Sequence, residues 1–209
     1  FDEDFKQAKV FIDIETVGNP EVQCVINTPE GEIIGKAGLW GQETACICIE
    51  QPILWNAEKP YLYELSLITG EEIIKQKIGL RKIEVRDGVV LINGTKVKFK
   101  GVNRHDSDPY TGAAVSREQA LTDLRLMKEH NINAIRTSHY PNSPWFLEMC
   151  DEYGFYVIGE ADIESHGCSK IVINGVRQTD MIAKDPGFEQ AILDRVQRNV
   201  IRDKNKTCV

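Results

Sequence analysis

The spacing of apolar residues changes period once along this chain, and that change limits the folds open to it. Up to about residue 80, short runs rich in β-branched residues alternate with turn signals. Lys9–Glu15 and Val22–Ile26 are bounded by Gly18-Asn19-Pro20 and Asn27-Thr28-Pro29. Ile33–Leu39, Thr44–Ile49, Tyr61–Ile68 and Glu72–Ile78 continue the series, with Thr69-Gly70 as a tight turn between the last two. Arg81–Val85 and Val89–Ile92 flank Asp87-Gly88, and Asn93-Gly94 then turns the chain into Lys96–Val102. Asx-Gly between β-branched runs is a strong hairpin signal.

After Gly101 the pattern alternates between strand and helix. Ser116-Arg117-Glu118-Gln119 has the form of a capping box, and Ala120, Leu124 and Met127 follow it on one helical stripe. Leu121 lies beside that stripe, Arg125, Lys128 and Glu129 lie outside it, and Asn131 is the expected stop. Ile132–Arg136 reads as a strand, Pro144–Tyr153 as a helix, Phe155–Ile158 as an apolar strand and Phe188–Asp203 as a final helix. Short strands with no helical pattern predict an immunoglobulin-like β-sandwich over 1–81. Strands alternating with helices after Gly101 predict βαβ units and a parallel sheet, within a second domain set at 82–209. The stretch between Glu160 and Phe188 has no strong period, and loops of that length tend to be functional or mobile.

Composition narrows the partners. A formal net charge of −7 with scattered Lys and Arg argues against a nucleic-acid backbone or an anionic membrane surface. No apolar run approaches the ~20 residues of a bilayer span. The opening FDEDFKQAKV lacks the apolar core of a signal peptide. Six cysteines form no CxxC pair; Cys46 and Cys48 share one strand face and are expected to be buried thiols acting as small hydrophobes, with a metal or redox role as the alternative. Reduced cysteines fit a cytoplasmic location. Trp40 and Trp55 are expected in the core or an interface of the strand-rich half, and Trp145 in helix packing.

Three polar clusters follow the strands of the second half, where the loops of a barrel carry its chemistry: Asn103–Asp106, Arg136–His139 and Glu160–His166. Glu164 and His166 are one residue apart, so in extended backbone both side chains face one way and can converge on a cation. Oxygen with a single imidazole suits Mg²⁺ better than structural Zn²⁺, although Glu-x-His also arises by accident. His105 and His139 are candidates for hydrogen bonds to substrate hydroxyls, or equally for bonds to backbone. Arg136 is expected to meet a carboxylate of either structural or catalytic purpose. No Gly-rich nucleotide loop, GxSxG elbow or zinc-finger spacing is present.

From Gly79 onward the chain resembles glycoside hydrolase family 2, and within it the β-galactosidases. The strings that carry the resemblance are GLRKIEV, INGTKVKFKGVNRHD, RTSHYPNSPWFLEMCDEYGFYVIGEADIESHG and RVQRNVIRDKNK, in the family's order. Residues 1–78 match more loosely. IRTSHYPN is shared with β-glucuronidases, whereas Glu164-Ser165-His166-Gly167 looks like the β-galactosidase form.

The resemblance implies an immunoglobulin-like domain followed by the N-terminal portion of a TIM (β/α)8 barrel, with strands 1–3 and their helices. It implies that Glu164 and His166 bind an active-site Mg²⁺, that His105 and His139 contact the sugar, and that Arg136 lies beside the nucleophile. Asp162 replaces the usual Asn and is given no role; Glu160 and Glu164 match non-nucleophilic positions. The implied reaction is retaining hydrolysis of terminal non-reducing β-D-galactose residues in β-galactosides such as lactose, by two carboxyl groups about 5 Å apart. The resemblance puts both catalytic Glu residues beyond Val209. The 209 residues are therefore expected to be an inactive fragment of a homo-oligomeric enzyme, with metal binding weak or absent. A β-glucuronidase or β-mannosidase relative and a non-catalytic sugar-binding module are the alternatives.

Overall fold

A computed structural model describes residues 1–40, 44–178 and 181–209. The chain divides into two compact units, Phe1–Lys98 with Asp151–Gly154, and Phe99–Cys150 with Phe155–Val209.

The first unit holds β1 (Gln7–Asp13), β2 (Glu21–Asn27), β3 (Ile33–Trp40), β4 (Thr44–Glu50), β5 (Tyr63–Ile68), β6 (Ile73–Ile78), β7 (Ile83–Arg86), β8 (Val89–Ile92) and β9 (Thr95–Lys96). β1 pairs with β4, and a second antiparallel sheet runs in the order β3-β2-β5-β6. Strict alternation builds the core between them. Ala45, Ile47 and Ile49 point inward from β4 while the residues between them face solvent. They join Ile12, Val22, Cys24, Ile26, Leu39, Tyr63 and Leu65 in one cluster. Burial pushes the Cys24 thiol above its ordinary pKa, so it behaves as a small hydrophobe.

The same alternation corrects one expectation and narrows another. Cys46 and Cys48 do share a face of β4, but that face is exposed, because Ile47 takes the inward position between them. Trp40, at the end of β3, is 55% exposed, which leaves the interface as the other of its two expected places, whereas Trp55 is fully buried. The indole Nε1 of Trp55 donates to the Asp151 carbonyl at 2.9 Å. β7, β8 and β9 form a separate antiparallel sheet. Its two turns place Asp87-Gly88 and Asn93-Gly94 at positive φ, as type I′ hairpin geometry requires.

The second unit begins with β10 (Gly101–Arg104). It continues through α1 (Arg117–Glu129), β11 (Ala134–Thr137), α2 (Pro144–Tyr153, whose last turn belongs to the first unit) and β12 (Tyr156–Ile158). Lys96–Val102, expected as one strand, is thus two strands in different sheets. Gly101 starts the second, where a Cβ would come within 2.9 Å of the Ala134 carbonyl oxygen. β10, β11 and β12 are parallel, with Asn103, Arg136 and Ile158 in register. The Ser116 capping box is formed in full, and Ala120, Leu124 and Met127 are buried. Phe146, Leu147 and Cys150 of α2 are buried too, as are Ile135 and Phe155. Asn131 ends the first helical segment at φ +58°.

The aperiodic stretch after Glu160 is more structured than its composition suggests. It contains a hairpin, β13 (Val172–Ile173) and β14 (Val176–Arg177), then α3 (Met181–Lys184), and the expected final helix follows as α4 (Glu189–Asp203). Asn174-Gly175 turns the hairpin at positive φ, the same Asx-Gly device used at residue 93. No described helix is long and apolar enough to cross a membrane.

Gly35 of β3 tests the packing of the sandwich, since a Cβ there would overlap the Cγ2 methyl of Ile47. Ile47 is β-branched and buried and has little room to yield. Gly35→Ala should lower unfolding free energy by about 1–3 kcal/mol, the usual cost of overpacking. A urea midpoint unchanged from the parent would show that the two strands separate freely.

Candidate active site

The three parallel strands end level with one another, so their next residues gather at one end of the sheet. His105 follows β10, Ser138 and His139 follow β11, and Glu160 lies two residues beyond β12. This is the end at which barrel enzymes place their chemistry.

Glu160 ties the cluster together. One carboxylate oxygen pairs with Nε of Arg136, and the other accepts from Nδ1 of His139 at 3.1 Å. Its backbone N–H donates to Oγ1 of buried Thr137 at 3.0 Å, which fixes the start of the loop against the end of β11. Arg136 also reaches Oδ1 of Asn103, its register neighbour, at 3.4 Å. The expected carboxylate partner of Arg136 is therefore Glu160, within this chain.

The remaining candidates extend the line. The His105 and His139 rings meet edge to face with centroids 5.3 Å apart. Glu164 Oε2 lies 3.9 Å from Nδ1 of His139, and Glu164 Oε1 lies 3.5 Å from Nδ1 of His166. The Glu164 and His166 donors are thus closer together than two Mg²⁺–ligand bonds of about 2 Å laid end to end, so both can reach one cation. Among the described residues no group of three or more His, Cys, Asp or Glu side chains converges as a metal site. The donors present fit a hard cation held in part by other ligands. Asp162 is exposed, and with Glu164 it borders a cavity of about 440 Å³ walled by Ile163, Met181, Phe188 and Arg195.

A second network holds the frame of the site. Arg104 is 6% exposed and pairs with Asp106 at 2.6 Å and Asp123 at 3.0 Å, while its guanidinium lies 4.3 Å from the centre of the Phe146 ring. Asp106 in turn accepts from Asn142 Nδ2 at 3.1 Å, and the Asp106 backbone N–H donates to the Tyr140 hydroxyl at 2.9 Å. The residues flanking His105 and His139 are thereby locked to each other. Sequence reading assigned no role to Glu160 or Arg104. For Glu160 the signal was available, because it follows a strand as His105 and His139 do. Arg104 gives no such signal, because its partners are brought together only by the fold.

Residues 83–209 match the family model for the glycosyl hydrolases family 2 TIM barrel domain, and residues 1–81 match the glycosyl hydrolases family 2 model that accompanies it. The chain belongs to glycosyl hydrolase family 2. It is 55% identical over 184 residues to a β-galactosidase of Actinobacillus pleuropneumoniae, a match covering 77% of this chain and 18% of that protein. It is 38% identical over 209 residues to a β-galactosidase of Staphylococcus xylosus, covering 99% of this chain and 21% of that one. The chain spans about a fifth of the length of these curated relatives. The solved β-glucuronidase of Ruminococcus gnavus in complex with D-glucaro 1,5-lactone superposes with a TM-score of 0.84. It covers 98% of this chain and 34% of that one at 24% identity, which shows the shared fold.

Two outcomes test this arrangement. The Asp108 carboxylate accepts from the backbone N–H groups of Thr111 and Tyr110, which hold its pKa below the ordinary 3.8. A lowered folded-state pKa stabilises the turn above the unfolded value and is lost as pH falls through the lowered one. The Tyr110 and Thr111 amides should therefore stay protected at pH 5 and exchange freely only well below 3.8; protection indifferent to acid would refute the role of Asp108. Glu160→Ala should release the Arg136 and His139 side chains, read as a rise in their side-chain NMR mobility. Because Arg136 is half exposed, stability should change by no more than about 1 kcal/mol. Side chains that stay ordered would show that Glu160 is not their anchor.

Proposed function

We propose that this chain is part of a retaining β-galactosidase that hydrolyses terminal non-reducing β-D-galactose residues from β-galactosides such as lactose. The observation that carries the reading is the continuous line of Arg136, Glu160, His139, Glu164 and His166 at the C-terminal ends of parallel strands. The β-galactosidase name of relatives at 55% and 38% identity supports galactose over glucuronate.

In this reading His105 and His139 hydrogen-bond sugar hydroxyls. Arg136, already oriented by Glu160 and Asn103, presents its guanidinium to a carboxylate at the reacting carbon. Glu160 is a positioning residue: both of its oxygens are engaged, so it is not assigned as nucleophile or as acid/base. Glu164 and His166 would hold Mg²⁺, which when bound supplies fixed positive charge beside the sugar. The two catalytic carboxyl groups of the retaining mechanism are assigned to the longer enzyme and not to any acid in these 209 residues. The enzyme is further proposed to be cytoplasmic, homo-oligomeric and active in carbohydrate metabolism, with its domain limit at residues 81/82.

The test is turnover of a chromogenic β-galactoside by a full-length enzyme carrying this segment, with the 209-residue chain alone as control. The full-length enzyme should turn over and the chain alone should not. His139→Ala should reduce kcat/KM by roughly 10²-fold, the scale on which a lost polar contact to a reacting substrate is felt. Glu164→Gln should raise the Mg²⁺ concentration needed for half-maximal activity by roughly tenfold or more. Preference for a β-glucuronide would transfer the reading to that branch of the family, and galactose binding without turnover would mark a sugar-binding module.

A further inference from the structure

The outer face of β4 carries an arrangement with no part in the site above. Cys46 and Cys48 are both free and exposed, and both project from the same side of the strand. Across the ladder they face Phe11 and Lys9 of β1. Glu50, next along the same face, is engaged by Nε2 of Gln7 at 2.9 Å. The other cysteines differ: Cys24, Cys150 and Cys208 are buried, and Cys168 is half-buried in the loop that follows β12.

Strand geometry decides what two such thiols can do. Alternate residues on one strand face are spaced by two rises of about 3.3 Å, so their Cβ atoms lie about 6.6 Å apart. A disulfide needs Cβ atoms about 4 Å apart, and β4 is held at all seven residues by its pairing with β1. Direct oxidation of the pair is therefore opposed by the sheet. A bridging metal has a looser requirement, because two metal–sulfur bonds of about 2.3 Å let the sulfurs stand about 4.6 Å apart. Each sulfur then has to lean toward the other by only about 1 Å, which side-chain rotation supplies without moving the backbone.

The number and kind of donors select the metal. Among the described residues no third His, Cys, Asp or Glu joins the pair, so the four-coordinate shell that Zn²⁺ prefers is not available. Two thiolates alone suit a soft ion of low coordination number, of which Cu(I) is the biological example. We propose that Cys46 and Cys48 form a two-thiolate clamp for Cu(I) on the exposed face of the sandwich. Binding follows 2 RSH + Cu⁺ → (RS)₂Cu⁻ + 2 H⁺, with no change of oxidation state. The Lys9 ammonium, opposite Cys48, offsets the negative charge of the complex, and the 65% exposed Phe11 ring flanks Cys46.

The experiment titrates Cu(I) into the full chain under anaerobic reducing conditions, in competition with a chromophoric Cu(I) chelator. Alkylation of each cysteine by iodoacetamide is followed by peptide mass. One tightly held equivalent is expected, with Cys46 and Cys48 protected together from alkylation. Cys46→Ser and Cys48→Ser should each abolish that equivalent, and Cys168→Ser should leave it intact. Circular dichroism of the two exposed-site variants separates loss of the clamp from loss of the fold. Copper retained by either folded single variant, lost in Cys168→Ser, or protecting only one of the two thiols would overturn the proposal.

Discussion

Three short parallel strands held in register decide which side chains of this protein can meet. The ladder aligns Asn103 with Arg136 and Arg136 with Ile158, and each strand stops within a residue or two of its neighbours. A slip of one residue would move Arg136 to the opposite face of the sheet and separate it from both Asn103 and Glu160. The site therefore depends on the packing that pins the register more than on its own polar contacts. That packing is local and apolar: Ala120 and Leu124 of α1, Phe146 and Leu147 of α2, and Ile135 of the central strand are all buried. Gly101 contributes by its lack of a side chain, since β10 runs too close to Ala134 to admit one.

Given that frame, Glu160 works by geometry as much as by charge. Arg136 and His139 are both partly exposed, so their pairing with Glu160 contributes little to stability. Its effect is to limit the rotamers of two side chains that would otherwise sweep the same space. The Arg104 network differs in kind. Arg104 is buried, and removing one of its carboxylates would leave a charge in a low-dielectric setting. The protein thus separates a buried polar scaffold behind the strand ends from a half-exposed line of groups in front of them.

Much of this was legible in the residues because period-two and period-3.6 patterns are local. The β4 alternation, the Ser116 capping box and the Ala120–Leu124–Met127 stripe needed no tertiary knowledge. The placement of His105, His139 and Glu164 after strands was legible for the same reason, since strand ends can be read from composition. What the residues did not reveal was which face of a strand is covered. Cys46 and Cys48 read as interior thiols because cysteine is usually buried, yet Ile47 between them has the stronger claim on the core. Trp40, expected in the core or an interface, ends β3 on an exposed side, so of the two only the interface remains. The hairpin at Asn174-Gly175 carries the same turn signal as Asn93-Gly94, but its two-residue strands are too short to show a period.

The two units also differ in how they dispose of their surfaces, and this bears on where function sits. An antiparallel sandwich covers one face of each sheet with the other sheet and leaves the outer faces to water. The β4 outer face is of this kind, with Thr44, Cys46, Cys48 and Glu50 exposed. A parallel sheet ordinarily has both faces covered. Here Ile135 and Val157 point to the covered side, while Asn103, Arg136 and Ile158 lie on a side where Ile158 remains 49% exposed. Apolar exposure of the same order recurs along α4 at Leu193, Val196 and Val200. In a chain that spans about a fifth of its relatives' length, such surfaces are where further structure of the family can pack. The sheet face that carries Arg136 is one of these surfaces, so the site groups and the apolar exposure share one side of the sheet.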